Sequence, residues 1–189
     1  GQDFLTTVVE QDNNRSGARV TGAMIDYLAP GNAAATITAL ADPAIRIVSL
    51  TITEGGYFIN PASGVFDPTH PAIAADAADP GAPKTVFGLI LAGLKARRDK
   101  GIAPYTVMSC DNIPGNGEVT HAAVSGLARL SDPALADWID ASVAFPNGMV
   151  DRITPATGPR EIGIVADEYG IADAWPVFCE EFKQWVLED

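Results

Sequence analysis

An α/β fold with a mostly parallel sheet and flanking helices is predicted by three features of this 189-residue chain. Runs rich in β-branched residues alternate with runs whose apolar side chains recur at helical spacing. The run Ile45–Ile52 is almost continuously apolar, as expected of a strand covered on both faces. The stretches between strands are of crossover length, which selects right-handed βαβ units.

In chain order, Arg19–Leu28 is β-rich and ends at Pro30-Gly31-Asn32. Asn32 is placed to cap a short helix over Ala33–Ala41 with Ile37 and Leu40 inward, and Asp42-Pro43 closes that helix. Ile45–Ile52 is predicted to be a central parallel strand. The Pro, Gly, Asp and Ala-rich segment Gly55–Pro83 is too long for an ordinary connection and is expected to cover a site or another domain. Lys84–Lys100 places Phe87, Ile90, Leu91 and Leu94 on one helical face, and Arg97, Arg98 and Lys100 complement the C-terminal dipole before Gly101. A strand over Tyr105–Cys110 follows, then a helix over Asn116–Leu130 with Val119, Ala123, Leu127 and Leu130 inward. Asp132-Pro133 restarts a shorter helix carrying Leu135, Trp138 and Ile139, and Ser142–Phe145 is predicted to be the next strand.

At 47% hydrophobic residues the chain can bury a core as one domain or as most of a larger one. Its net charge of −12 argues against nucleic acid or an anionic membrane as partner, because such binding rests on Lys and Arg neutralising phosphates. No apolar run approaches the roughly 18 residues of a membrane span, and the amino terminus has no signal pattern. Cys110 and Cys179 lie far apart without CxxC spacing, so neither a disulfide framework nor a zinc ribbon is suggested, and a reducing, cytoplasmic compartment is expected. His70 and His121 sit in unlike contexts and read as solvated, so no metal site is expected. Cys110 reads as a small hydrophobe, and Trp175, Phe178, Phe182 and Trp185 as core or interdomain packing. The start at Gly1-Gln2-Asp3 without Met and the stop inside the apolar-rich Trp185–Asp189 read as an excised piece, incomplete at both ends.

Polar residues follow three successive predicted strands: Thr53 and Glu54, then Asp111 and Asn112, then Asn147 and Asp151. In an open α/β sheet, ligands and catalytic groups collect at the carboxyl ends of strands. For any single one of these residues, turn and cap chemistry is the commoner reason for an Asn or Asp there. Asn116 reads as the N-cap of its helix, which leaves the amide of Asn112 unassigned. An amide donor beside a reacting carbonyl stabilises oxyanion charge. Gly115-Asn116-Gly117 reads as a tight turn in preference to a phosphate cradle.

Three segments carry a resemblance: Ile47-Val48-Ser49-Leu50-Thr51-Ile52-Thr53-Glu54-Gly55-Gly56-Tyr57, Thr106-Val107-Met108-Ser109-Cys110-Asp111-Asn112, and Phe145-Pro146-Asn147-Gly148-Met149-Val150-Asp151-Arg152-Ile153-Thr154-Pro155. Together with Asp173–Val177 and Gln184–Asp189 they resemble the polyol-specific long-chain dehydrogenases, on the mannitol 2-dehydrogenase side of that family. The resemblance spans nearly the whole chain and implies a Rossmann-type fold. It implies a zinc-independent, NAD-linked oxidoreductase that interconverts a polyol and a ketose, typically D-mannitol and D-fructose. By the same resemblance, Asn112 forms an oxyanion hole with a second Asn from a mostly helical carboxyl-terminal domain. That domain also supplies a Lys as general base, with an Asn and a His following it on one helix. Val150 and Asp151 would line the substrate site near the nicotinamide, Asp151 binding polyol hydroxyls, while Thr53, Glu54 and Val150 would face the cofactor.

The resemblance makes residues 1–189 the central and C-terminal part of an NAD-binding Rossmann-type domain. The Gly-rich βα unit that receives the dinucleotide, and the acidic residue that selects NAD over NADP, would lie upstream of Gly1. The catalytic helical domain would lie downstream of Asp189, so this piece by itself is expected to be inactive. A uronate reductase of the same family is an alternative; its substrate carboxylate needs a cation, and Arg152 is the one basic residue in the site segments. A non-catalytic α/β binding module is the other, although such a module has no need of Asn112 and Asp151 together.

Overall fold

The computed structural model describes residues 3–12 and 15–189. They fall into two compact units, one drawn from residues up to Tyr27 and from Val150–Trp185, the other from Leu28–Met149 with Val186–Asp189.

The larger unit contains α1 (Ala33–Leu40), β3 (Ile47–Leu50), a 3-10 turn (Glu54–Tyr57), α2 (Pro71–Ala78), α3 (Val86–Asp99), β4 (Thr106–Ser109), α4 (Asn116–Ser131) and α5 (Pro133–Ser142). β3 and β4 pair in parallel, from Ile47 opposite Thr106 to Leu50 opposite Ser109. Parallel neighbours require a crossover, and the chain supplies it through α2 and α3. Three of these helices, α1, α3 and α5, start at a capping side chain supplied by the residue just before them. Asn32 Oδ1 accepts the Ala35 N–H at 3.1 Å, Thr85 Oγ1 accepts that of Gly88 at 3.0 Å, and Asp132 Oδ1 accepts that of Leu135 at 2.9 Å. Phe87, Ile90, Leu94, Val107, Leu127 and Ile139 meet in one buried core.

Three expectations change here. Ile45–Ile52 is not covered on both faces: only Ile47–Leu50 is strand, Ile47 is 56% exposed, and β4 is its only strand partner among the described residues. Ser142–Phe145 is not a strand, because α5 runs through Ser142 and Val143 donates its N–H to Ile139 O; one bond, Val107 N–H to Ala144 O at 3.0 Å, marks where a strand would lie. Gly55–Pro83 folds back on its own unit, with Tyr57 and Ile73 fully buried in the core and the Phe66 ring against Gly126. Arg97 lies in the last turn of α3 as expected, but its side chain also has a structural role. It is 2% exposed, lies 4.7 Å over the Tyr105 ring, and donates to the carbonyls of Leu40 (2.7 Å), Ala103 (2.8 Å), Ile45 (2.7 Å) and Asp42. Those carbonyls end α1 and the loops beside it, so one guanidinium ties these segments together while its own buried N–H donors are satisfied.

The smaller unit holds β1 (Thr6–Gln11), β2 (Ser16–Thr21), α6 (Pro159–Tyr169) and β6 (Val177–Glu180), with sheet order β2-β1-β6. β1 pairs antiparallel with β2 and parallel with β6. Its core is Val9, Val165 and Phe178. The β-rich stretch predicted over Arg19–Leu28 stops at Thr21, and Met24, Ile25 and Tyr27 beyond it are exposed. Phe178 is core, whereas Trp175, Phe182 and Trp185 are exposed. The chain passes between the units within β5 (Gly148–Asp151) and β7 (Gln184–Leu187). Among the described residues no helix is long and apolar enough to cross a membrane.

Candidate functional site

In the larger unit, the carboxyl ends of β3 and β4 are joined by one side chain. Parallel pairing continues one step past the strands, the Cys110 N–H reaching Leu50 O at 2.8 Å, and the next residue is Asp111. Its Oδ2 accepts the Ile52 N–H at 2.9 Å and the Tyr57 hydroxyl at 2.7 Å, and its Oδ1 accepts the Thr53 N–H at 3.1 Å. Tyr57 is fully buried, and burial pushes its phenol far above the usual range, so the hydroxyl stays a donor. Thr53 sits at φ +62°, ψ 166°. That region is close to glycine-only and costs a β-branched residue about 1–3 kcal/mol, so it persists only where neighbours hold it.

After Asp111 the chain turns through Gly115, which at φ +62° is the residue before α4 and has no side chain to cap it. Asn116 is therefore not the N-cap the sequence suggests. It is the first residue of α4, 2% exposed, and its Nδ2 donates to Asp111 O at 3.1 Å, to Gly148 O at 2.8 Å and more weakly to Ser109 O at 3.4 Å. Its Oδ1 accepts the Gly148 N–H at 2.8 Å. The cap comes from 30 residues away: Asn147 Oδ1 accepts the Gly117 N–H at 2.9 Å and the Glu118 N–H at 3.4 Å. The exchange depends on Gly117, where an added Cβ would stand 2.4 Å from Phe145 O and 2.7 Å from Asn147 N. With these N–H groups occupied, the α4 N-terminus is not a phosphate site, and the two glycines serve a turn and a close backbone approach.

Asn112 lies between these two anchors. It is exposed, and its side chain has no hydrogen-bond partner among the described residues. Glu54, next to the strained Thr53, is likewise exposed and without a partner among the described residues. Thr53, Glu54, Asp111 and Asn112 thus share one edge of the larger unit. Val150 and Asp151 belong to the smaller unit and are both exposed. Arg152, the candidate cation, is engaged there. Its guanidinium donates to Glu10 Oε1 at 2.7 Å and to Glu180 O at 3.0 Å, and this bond holds the Glu10 carboxyl below its usual range.

The remaining reactive groups are accounted for structurally. Burial, then the Asp111 charge, raises the Cys110 thiol, which keeps it protonated and a poor nucleophile. His70 caps α2, its Nδ1 accepting the Ala72 N–H at 3.2 Å, and His121 bonds Asp140 at 2.8 Å; neither is merely solvated. No cluster of metal-ligating side chains occurs among the described residues. The two connections missed from sequence, Asp111 to the β3 end and Asn147 to α4, bridge 58 and 30 residues, and no local pattern announces either.

The family model described as the mannitol dehydrogenase Rossmann domain matches residues 1–189. A mannitol 2-dehydrogenase of Cereibacter sphaeroides is 61% identical over the whole chain, and a polyol:NADP oxidoreductase of Gluconobacter oxydans is 48% identical over 190 aligned residues. The chain spans 39% of the length of each. Among solved structures, Pseudomonas fluorescens mannitol 2-dehydrogenase in ternary complex with NAD and D-mannitol is 53% identical with a TM-score of 0.95. It is covered to 39% of its length by all of this chain. A D-sorbitol dehydrogenase in substrate-free form is 47% identical with the same score and the same coverage.

Proposed function

Because this chain belongs to the mannitol dehydrogenase family, as its Rossmann domain, we propose that it is the nucleotide-side part of an NAD-dependent polyol dehydrogenase that interconverts D-mannitol and D-fructose. The observation that carries the reading is Asn112: an exposed amide, free of protein partners among the described residues, held at the end of a parallel strand by the anchored residues on either side. When bound, NAD supplies a hydride acceptor at nicotinamide C4, so that the polyol C2–H leaves as hydride and the hydroxyl proton goes to a base, giving ketose, NADH and a proton.

The residues present fit the nicotinamide side of that cofactor. In the larger unit Glu54 offers an exposed carboxylate, unpaired among the described residues, for the cofactor's amide or ribose donors beside the backbone of Thr53; Val150, exposed in the smaller unit, is assigned to the cofactor on the resemblance. The Asn112 amide donates to the substrate oxygen as it passes between alkoxide and carbonyl, which stabilises charge there without adding a titrating group. Asp151 accepts from polyol hydroxyls. The general base is assigned, on the resemblance, to a Lys of the helical domain beyond this chain. Arg152 is committed to Glu10, so on the uronate reading the cation for a substrate carboxylate comes from outside these 189 residues. The free thiols Cys110 and Cys179 support a reducing, cytoplasmic setting.

The test is D-mannitol-dependent NAD reduction by the native-length protein, with NADP, sorbitol and a uronate as comparisons and Asn112→Ala in parallel. The expected result is mannitol-driven NADH formation that falls about 10²-fold or more in the variant, the usual scale for an oxyanion donor. No polyol-dependent reduction, or an unchanged kcat in Asn112→Ala, would refute the reading.

A further inference from the structure

We infer that Asp111 is a positioning residue that sets the cofactor-side corner and the oxyanion amide together, through a closed hydrogen-bond circuit linking β3 to β4. The inference rests on the polyol dehydrogenase reading above and concerns a residue that touches neither substrate nor cofactor in it.

The circuit follows from counting protons. Tyr57 has one hydroxyl proton and gives it to Asp111 Oδ2 at 2.7 Å. The 2.6 Å contact between Tyr57 Oη and Ser109 Oγ must then be donated by Ser109. Ser109, fully buried, in turn accepts the Asp111 N–H at 3.3 Å. The ring of Asp111, Ser109 and Tyr57 thus runs in one direction, with the side-chain oxygens of Asp111 as acceptors. The same carboxylate holds the N–H groups of Ile52 and Thr53, and hence the +62° φ of Thr53 beside Glu54. Its own backbone precedes Asn112, and its carbonyl is held by Asn116. Movement of this one side chain would therefore shift both Glu54 and Asn112.

Asp111→Asn is nearly isosteric yet breaks the circuit. In either orientation its NH2 faces at least one backbone N–H, a donor against a donor. In the native-length protein we expect the NAD dissociation constant to rise about tenfold, read by quenching of protein fluorescence, together with a fall in kcat. Thr53→Gly removes the Cβ that makes the corner costly, because glycine populates positive φ freely. The double variant should therefore regain about threefold or more of the NAD affinity. Its kcat should stay depressed, since the Asn112 side of the hold is not repaired; a purely structural defect would not divide in this way. Thermal melting of the same four proteins needs no cofactor, and Thr53→Gly should relieve Asp111→Asn by more than it changes the unsubstituted protein.

An Asp111→Asn protein that binds NAD within about twofold of the unsubstituted one, or an effect of Thr53→Gly that is the same in both backgrounds, overturns the inference. Should Asp111→Asn not fold, Tyr57→Phe, which removes one donor, takes its place, and absence of relief by Thr53→Gly overturns the inference equally. If the unsubstituted protein binds no NAD the functional reading falls, and the melting cycle still decides whether the carboxylate holds Thr53.

Discussion

Replacing Asn116 with Ala removes a buried side chain whose polar atoms are fully committed. Three bonds of ordinary length go, two with Gly148 at 2.8 Å and one with Asp111 O at 3.1 Å, along with the longer one to Ser109 O. At about 1 kcal/mol each these contribute about 3 kcal/mol, and the Gly148 N–H left without that acceptor adds about 1 kcal/mol more. A loss of about 4 kcal/mol lowers the Tm of this 189-residue domain's own transition by roughly 8–16 °C. Asn112→Ala, four residues earlier, removes no such bond and should stay within about 0.5 kcal/mol of the parent while losing turnover. Calorimetric melts of both variants of the native-length protein separate the two roles. A drop of less than about 3 °C for Asn116→Ala, or an equal drop for Asn112→Ala, would refute the assignment of Asn116 as the strut and Asn112 as the free amide.

Gly117→Ala drives a Cβ to within 2.4–2.7 Å of the Phe145–Asn147 backbone, which has no flexible side chain to yield, so a cost of about 1–3 kcal/mol and faster amide exchange in the first turn of α4 are expected. Parent-like melting and exchange would contradict the close approach. Glu10 is held below its usual value by the Arg152 bond, so its contribution is present above the unfolded glutamate value and is lost as pH falls through the lower folded value. Melts taken from neutral toward acid pH should flatten in Glu10→Gln, and an unaltered acid limb would show that the pair does not contribute. Asp151→Ala should raise the KM for mannitol about tenfold or more and leave NAD affinity within about twofold, because hydroxyl contacts bind the polyol. The opposite pattern in steady-state and binding assays would move Asp151 to the cofactor side.

Local signals read well along this chain because their causes are local. Asn32 caps α1 and Asp132-Pro133 opens α5 as spacing predicts, since cap and first turn are within three residues of one another. The apolar faces of α3 and α4 likewise meet in the core, with Phe87, Ile90, Leu94, Ala123 and Leu127 buried, although Leu130, expected inward, is exposed at the end of α4. Errors arose where the deciding partner was distant. Asn116 has the composition of a cap, yet Gly115 bends the chain so that Asn116 turns inward to Gly148, and Asn147 takes the capping role from the far side of α5. The further role of Arg97 is hidden for the same reason: four carbonyls around α1 converge where its guanidinium lies.

The sequence by itself determined the α/β class and the family, because long motifs and the alternation of strand and helix periods are written in consecutive residues. It also named Asn112 as an amide with no local duty. Tertiary structure alone decided what holds that amide in place. Asp111 reaches back 58 residues to the strained corner at Thr53, while across some 30 residues Asn116 bonds Gly148 and Asn147 accepts the Gly117 N–H of α4. Hydrogen bonds of that separation depend on where the strands and helices come to rest, and no periodicity in a linear chain encodes a partner so far away.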